Sequence, residues 1–153
     1  MKNFLKTTAI LLVALCFVAC SNDDDFSSGS LEVTPHNISG YWVLLERNGM
    51  EIPEGVFCYI EYIRKDKKFV MYQKFDSMYP RVITGKYDIE KDKYGKYILS
   101  GIYDYGMGEW NNKYYVTAFF EDYMVLTADS EDMDICTYVR CNEIPAEVLD
   151  EAK

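Results

Sequence analysis

The segment Lys68-Phe-Val-Met-Tyr-Gln-Lys-Phe75 is followed, after a turn ending at Pro80, by the segment Arg81-Val-Ile-Thr-Gly-Lys-Tyr-Asp-Ile89. In each segment alternate residues fall on the same side of an extended chain, which is the pattern of a β-strand. One side carries Phe69, Met71, Phe75, Ile83, Gly85, Tyr87 and Ile89. The two segments therefore predict neighbouring strands, and Gly85 would allow a bend or the close approach of another segment.

Six further segments with strand-like composition lie along the chain, separated by turn residues. They are Gly40 to Arg47, Val56 to Arg64, Lys96 to Tyr103, Asn112 to Phe120, Tyr123 to Ala128 and Asp134 to Cys141. Connections of two to eight residues leave no room for crossover helices, so neighbouring strands must pair antiparallel. We therefore predict an all-β fold, an eight-stranded antiparallel up-and-down barrel, because closure removes exposed edges. Residues 143–153 suit either a short helix on the barrel wall or a frayed end.

The first 19 residues have the three parts of a secretory signal peptide. Lys2 and Lys6 are basic, Thr7 to Val18 is almost wholly apolar, and Ala19 is a small residue before a cleavage point. Phe17-Val18-Ala19-Cys20 resembles the lipobox of bacterial lipoproteins. That resemblance implies that Cys20 becomes the first residue of the mature chain and carries the lipid, such as palmitate. The alternative is an ordinary signal peptide followed by a chance cysteine.

The residues after Cys20 predict a tether, which we assign to residues 20–37, before a domain at residues 38–153. Asp23, Asp24 and Asp25 repel one another and stay hydrated, and Ser27 to Ser30 is a flexible linker by composition. The run Ser21 to Asp25 also resembles the acidic export tag of Bacteroidota surface lipoproteins. This resemblance implies a lipid-anchored protein of the outer membrane that is displayed at the cell surface.

Charge and composition exclude several classes of function. Without Lys2 and Lys6, the mature chain carries 14 basic and 25 acidic residues, a net charge of −11. This balance argues against nucleic-acid partners and against electrostatic docking on anionic lipid. His36 is the only histidine and precedes the barrel, so no Ser-His-Asp or Cys-His set is predicted. We predict no enzyme, cofactor or metal site, although carboxylate pairs could still serve as acid and base.

Three cysteines remain after Cys16 leaves with the signal and Cys20 is acylated. Cys136 and Cys141 lie on one predicted strand, roughly 17 Å apart at about 3.4 Å per residue, so they cannot pair with each other. Export permits disulfides, but an odd number leaves at least one thiol free or paired outside the chain. Cys58 and Cys136 form the candidate pair.

Two short motifs resemble the lipocalin superfamily. The first strand carries Gly40-Tyr41-Trp42, and the last strand carries Arg140. In that superfamily the first-strand Trp closes the barrel floor and an Arg from the last strand packs over it, as a cation over an indole face. The resemblance covers residues 38–141 and is nearest to the small lipocalin-like lipoproteins of Bacteroidota. It implies barrel closure by Gly40, Trp42 and Arg140.

The loop from Tyr103 to Trp110 is the most informative candidate for ligand contact, because it combines aromatic rings, carboxylates and glycines. The up-and-down order places it at the rim away from Trp42, with the loops at 48–55, 76–80 and 129–133. The acidic turn at 129–134 matches no complete calcium loop and is interpreted as solvated charge. Interior candidates are Tyr59, Phe69, Met71, Tyr87, Leu99, Tyr103 and Tyr114, which would form either a packed core or a cavity lining.

These features together predict a surface lipoprotein whose lipocalin-like barrel binds a small apolar or planar ligand at the open rim. The candidate ligand-binding residues are Phe69, Tyr87, Tyr103, Tyr105 and Trp110. The alternative is a non-catalytic interaction module with a packed barrel, whose rim loops contact a protein or glycan partner. The volume of the barrel interior separates these two hypotheses.

Overall fold

The computed structural model describes residues 29–152. The predicted signal peptide (residues 1–19), the lipidation site Cys20 and the acidic run at 21–25 lie outside the described residues. Our predictions for them therefore remain predictions.

The described residues form one closed antiparallel barrel, which confirms the predicted fold class. Each of the eight long strands pairs with its neighbour along the chain, and the first strand also pairs with the last, which closes the ring. A ninth, two-residue strand extends a hairpin from the end of the first. The strands are β1 (Gly40–Arg47), β2 (Met50–Glu51), β3 (Phe57–Ile63), β4 (Lys68–Lys74), β5 (Arg81–Lys91), β6 (Tyr97–Tyr103), β7 (Tyr114–Phe119), β8 (Tyr123–Ala128) and β9 (Ile135–Cys141).

Two short α-helices flank the barrel, α1 (Pro35–Ile38) and α2 (Ala146–Glu151), and a 3₁₀ turn at Lys65–Lys67 joins β3 to β4. Thr34 caps α1 by accepting a hydrogen bond from the Asn37 backbone N–H. The second helix confirms the predicted short C-terminal helix. No helix within residues 29–152 is long and apolar enough to cross a membrane.

The barrel has two unlike ends, fixed by strand direction. At the closed end β1 begins, β9 ends, and the chain arrives through α1, with the Leu31 N–H bonded to the Phe119 carbonyl. At the open end lie four connections, at residues 48–56, 75–80, 104–113 and 129–134, which we call the rim loops. The loop carrying Tyr103 to Trp110 therefore opens away from Trp42, as the antiparallel order requires.

The core runs through the barrel, and its largest fully buried side chains are Ile38, Trp42, Tyr62, Phe69, Tyr87, Leu99 and Met124. Strand β3 is apolar on both faces, and the structure buries the face that carries Cys58, Ile60 and Tyr62. Tyr59 therefore faces outward, so its predicted interior position is wrong. Burial raises the pKa of Tyr59, with smaller contributions from Cys141 and from Glu147 of α2.

Trp42 and Arg140 close one end of the barrel. The Arg140 guanidinium carbon lies 4.1 Å from the centre of the Trp42 ring. Trp42 is fully buried and its Nε1 donates a hydrogen bond of 2.8 Å to the Ile38 carbonyl. Gly40 has φ +119°, and a Cβ at this position would lie 2.8 Å from Arg140 Nη1. A side chain there would be strained and would displace the guanidinium.

The same guanidinium also ties three chain segments together. Its Nε donates to the Glu121 carbonyl at 2.6 Å, Nη1 to the Ser39 carbonyl at 2.8 Å, and Nη2 to the Asn37 carbonyl at 2.7 Å. These acceptors belong to the β7–β8 turn and to the segment before β1. Arg140 therefore satisfies backbone carbonyls that the end of α1 and the turn would otherwise leave without partners.

Candidate functional site

A cavity of about 230 Å³ lies at the open end of the barrel. Its inner wall combines apolar side chains with four tyrosines, and its mouth carries the polar and charged groups. The lining residues are Arg47, Ile60, Tyr62, Met71, Tyr103, Trp110, Asn111, Asn112, Tyr114, Leu126, Asp134, Cys136 and Tyr138. The strands β3 and β9 present Tyr62 and Tyr138 inward because both residues fall on the buried side of their alternating patterns.

The four cavity tyrosines stay neutral over the physiological pH range. Burial raises the pKa of Tyr62 and Tyr138, which are buried within the barrel, and it also raises the pKa of the less buried Tyr103 and Tyr114. Each phenol can donate and accept a hydrogen bond. The inner part of the cavity is therefore uncharged, with aromatic faces and a few hydroxyl groups for orientation.

An ion pair stands at the cavity mouth. Arg47 Nε lies 2.9 Å from Asp134 Oδ1, and Arg47 Nη2 lies 2.6 Å from Asp134 Oδ2, which is a bidentate pair. The Asp134 side chain is only 15% exposed, whereas that of Arg47 is 53% exposed. The hydrogen bond from Arg47 holds the pKa of the Asp134 carboxyl below its ordinary value. The pair joins the ends of β1 and β9 beside the cavity.

Replacing Asp134 with asparagine should lower the free energy of unfolding by about 0.5–1 kcal/mol near pH 7, because the pair is partly exposed. A depressed carboxyl pKa contributes stability above the unfolded value, and the contribution is lost as pH falls through the folded value. Urea unfolding should therefore show the difference between wild type and Asp134→Asn shrinking below about pH 4. A difference that stays constant down to about pH 2.5 would contradict this assignment.

The loop at 104–113 folds back along β6 and brings Trp110 into the barrel. The Tyr103 N–H donates to the Gly108 carbonyl at 2.8 Å, and the Trp110 N–H donates to the Gly101 carbonyl at 2.9 Å. The indole lies directly over Gly101, where a Cβ would come 2.6 Å from Trp110 Nε1. Only a glycine leaves room for this ring, so Trp110 forms part of the barrel wall between β6 and β7.

The structure brings three of the five predicted ligand-binding residues together. Tyr103 and Trp110 line the cavity, and Phe69 lies behind Trp110, with ring centres 5.2 Å apart. Tyr87 lies deeper, against Tyr62 at 5.1 Å, and does not line this cavity. Tyr105 stands at the tip of its loop, 96% exposed, and does not line the cavity either.

The three thiols in the described part of the chain are free. Cys58 and Cys136 face the barrel interior from β3 and β9, the two strands that flank β1. Burial raises the pKa of Cys58 to about 12 and that of Cys136 to about 11, so both stay protonated and unreactive near neutral pH. Cys141 is half-buried on β9 at the closed end. The candidate pairing of Cys58 with Cys136 remains a prediction.

Sequence reasoning missed several cavity residues that the fold assembles from distant positions. Arg47 and Asp134 are 87 residues apart in the chain, and no local motif links them. Tyr62 and Tyr138 could have been found from the alternation in β3 and β9, once the inner face of each strand was known. Asn111 and Asn112 join the site only because their loop folds back onto β6.

No group of His, Cys, Asp or Glu side chains within residues 29–152 is arranged to hold a metal ion. Neither a scan against protein-family models nor a search of curated protein sequences found a match to this chain.

Proposed function

We propose that this protein is a lipid-anchored binding protein whose barrel holds a small planar or apolar ligand in the cavity at its open end. The cavity carries the proposal, because it combines apolar and aromatic side chains with polar groups that can orient a ligand, as small-molecule sites do. A binding role fits this lining, because the cavity tyrosines and the Cys136 thiol are uncharged near neutral pH.

The size of the cavity limits the ligand class. An engineered cavity of about 150 Å³ lined by apolar side chains binds benzene, whereas drug-sized ligands occupy sites of about 300–1,000 Å³. At about 230 Å³ the cavity suits a molecule of one or two rings. Faces of Tyr103, Tyr114 and Trp110 offer stacking, and the phenol groups offer hydrogen bonds to a ring nitrogen or oxygen.

Indole and toluene are suitable probes, one with a hydrogen-bond donor and one without. Isothermal titration calorimetry should detect indole binding to the wild-type chain, and indole should raise the unfolding midpoint by mass action. Met71 lines the cavity from β4, so Met71→Trp should fill it and weaken indole binding about tenfold or more.

Leu45→Trp is the matched control, because Leu45 is exposed on the outer wall of β1. Its indole affinity should equal that of the wild type. Failure of both probes to bind the wild type, or equal binding to Met71→Trp, would overturn the cavity assignment.

The anchored half of the proposal rests on Cys20, on the small residue before it and on the acidic run after it. It is supported by the direction of the chain, since the segment before β1 arrives at the closed end. A lipid on Cys20 would therefore tether the closed end, and the cavity mouth would face away from the outer membrane.

Cys20→Ser should abolish acylation. In bacterial cells that express the chain and are given radiolabelled palmitate, the wild type should incorporate label and Cys20→Ser should not. Protease added to intact cells should degrade the wild type if it is displayed at the surface. Equal labelling of both forms would exclude Cys20 as the lipidation site.

A further inference from the structure

The rim loops display large apolar side chains that the barrel does not need for packing. Six of them are between 63% and 96% exposed, and every rim loop contributes at least one. They are Met50, Met78, Tyr79, Tyr105, Met107 and Met133. Among the other described residues only Tyr94, at the closed end, is comparably exposed. The open end therefore presents a ring of methionine and tyrosine side chains to solvent, around the cavity mouth.

The same four loops are strongly acidic. They contain nine carboxylates and a single cation, Lys113. All nine except Asp134 are exposed. The carboxylates are Glu51, Glu54, Asp76, Asp104, Glu109, Asp129, Glu131, Asp132 and Asp134. The open end thus combines exposed apolar groups with a negative potential, and a partner must complement both.

Two of the exposed apolar residues sit in backbone conformations that side chains rarely adopt. Tyr105 has φ 60° and Met133 has φ 41°, and neither is glycine or asparagine. A side chain in this backbone conformation costs conformational energy, and here it is also exposed to solvent. The stability of the fold therefore does not explain why Tyr105 and Met133 occupy these positions.

We propose that the rim loops bind a basic, amphipathic segment of a partner polypeptide. Unbranched methionines adapt to varied apolar surfaces, and the surrounding carboxylates would pair with lysines and arginines of the partner. The negative potential disfavours anionic lipid, nucleic acid and a second copy of the same acidic rim, because each would bring like charges together. The inference does not depend on the cavity ligand, since every rim side chain named here except Asp134 lies outside the cavity lining.

The test uses the mature chain, residues 20–153, and three labelled synthetic peptides in fluorescence anisotropy titrations. The first peptide places Lys and Leu on opposite faces of a helix, the second shuffles the same residues, and the third replaces each Lys with Glu. The first should bind best, the shuffled peptide roughly tenfold more weakly, and the acidic peptide not at all. Affinity for the first should fall as salt is added.

Two rim variants identify the surface. The combined change of Met50, Met78, Met107 and Met133 to serine should weaken binding of the first peptide roughly tenfold or more. A second variant tests the charge component independently by combining Asp76→Asn with Glu51→Gln and Glu131→Gln. It should reduce both the affinity for the first peptide and the salt dependence of that affinity. Tyr94→Ser, at the closed end, is the control and should bind as the wild type does.

Three results would overturn the proposal. The first is acidic peptide binding equal to that of the basic one. The second is unchanged binding by both rim variants. The third is a rim that does not bind the peptides but binds phosphatidylglycerol vesicles or a second copy of the chain in sedimentation. Vesicle binding would assign the surface to a membrane, and self-association would assign it to a second copy.

Discussion

Arg140→Ala should lower the free energy of unfolding by about 3 kcal/mol, measured by urea unfolding of a chain of residues 20–153. The variant loses hydrogen bonds from a charged donor to three backbone carbonyls and the cation over the Trp42 ring. Hydrogen bonds to charged groups contribute about 1.5–3 kcal/mol each to stability when buried, and a cation on an indole contributes about 0.5–2 kcal/mol. The expected loss is smaller than the sum of these contributions, because water can reach part of the closed end and replace some of the lost hydrogen bonds.

Two further variants separate charge from geometry. Arg140→Lys keeps a cation over Trp42 but cannot reach three carbonyls in fixed directions, so it should recover less than half of the loss. Arg81→Ala removes an exposed arginine at the start of β5 and should change stability by no more than about 0.5 kcal/mol. Equal losses in Arg140→Ala and Arg81→Ala would mean that Arg140 does not close the barrel.

Gly85→Ala is expected to destabilise the barrel by about 2–4 kcal/mol in the same urea assay. A Cβ at Gly85 would collide with the Ile102 carbonyl oxygen and lie 2.7 Å from Phe69 Cε1. The carbonyl is part of the adjacent strand and Phe69 is fully buried, so neither can move aside easily. Overpacking of this kind costs about 1–3 kcal/mol and sometimes more.

Lys86→Ala provides the neighbouring control, because Lys86 is exposed and points to the other side of β5. It should change the unfolding free energy by less than about 0.5 kcal/mol. If Gly85→Ala is as stable as Lys86→Ala, then β5 and β6 pack less closely against each other and against Phe69 than the structure indicates.

The closed barrel could be predicted from the sequence because two independent constraints agree. Strand-like segments separated by short connections permit only antiparallel neighbours, and eight of them can remove their edges by closing. The positions of Trp42 and Arg140 follow from that order, since the start of the first strand and the end of the last meet at one end. They occupy facing positions in the β1–β9 ladder.

Two features could not be read from the sequence, the inner face of a strand with ambiguous alternation and the path of one loop. Strand β3 is apolar on both sides, so its inner face, and hence the outward position of Tyr59, could not be read from the pattern. Trp110 lies in a glycine-containing loop that turns back along β6, and only the space above Gly101 explains its half-buried position. Tertiary packing, which the local sequence does not encode, decides both cases.

The cavity could be predicted only in outline. Tyr103 and Trp110 were identified because aromatic residues clustered in one loop, whereas Tyr62 and Tyr138 come from strands on the opposite side of the cavity. The Arg47–Asp134 pair arises from the closing contact of β1 with β9 and has no sequence signature. Such residues are brought together by register, which becomes known only when the ring of strands is closed.

A crystal structure of residues 20–153 soaked with indole tests the central claim most directly. We expect one indole ring inside the open end of the barrel, within contact distance of Tyr103, Tyr114 and Trp110, and little movement of the strands. An interior that stays empty or is filled by rearranged side chains, with indole bound only on the outer surface, would contradict the assignment of the cavity as a ligand site.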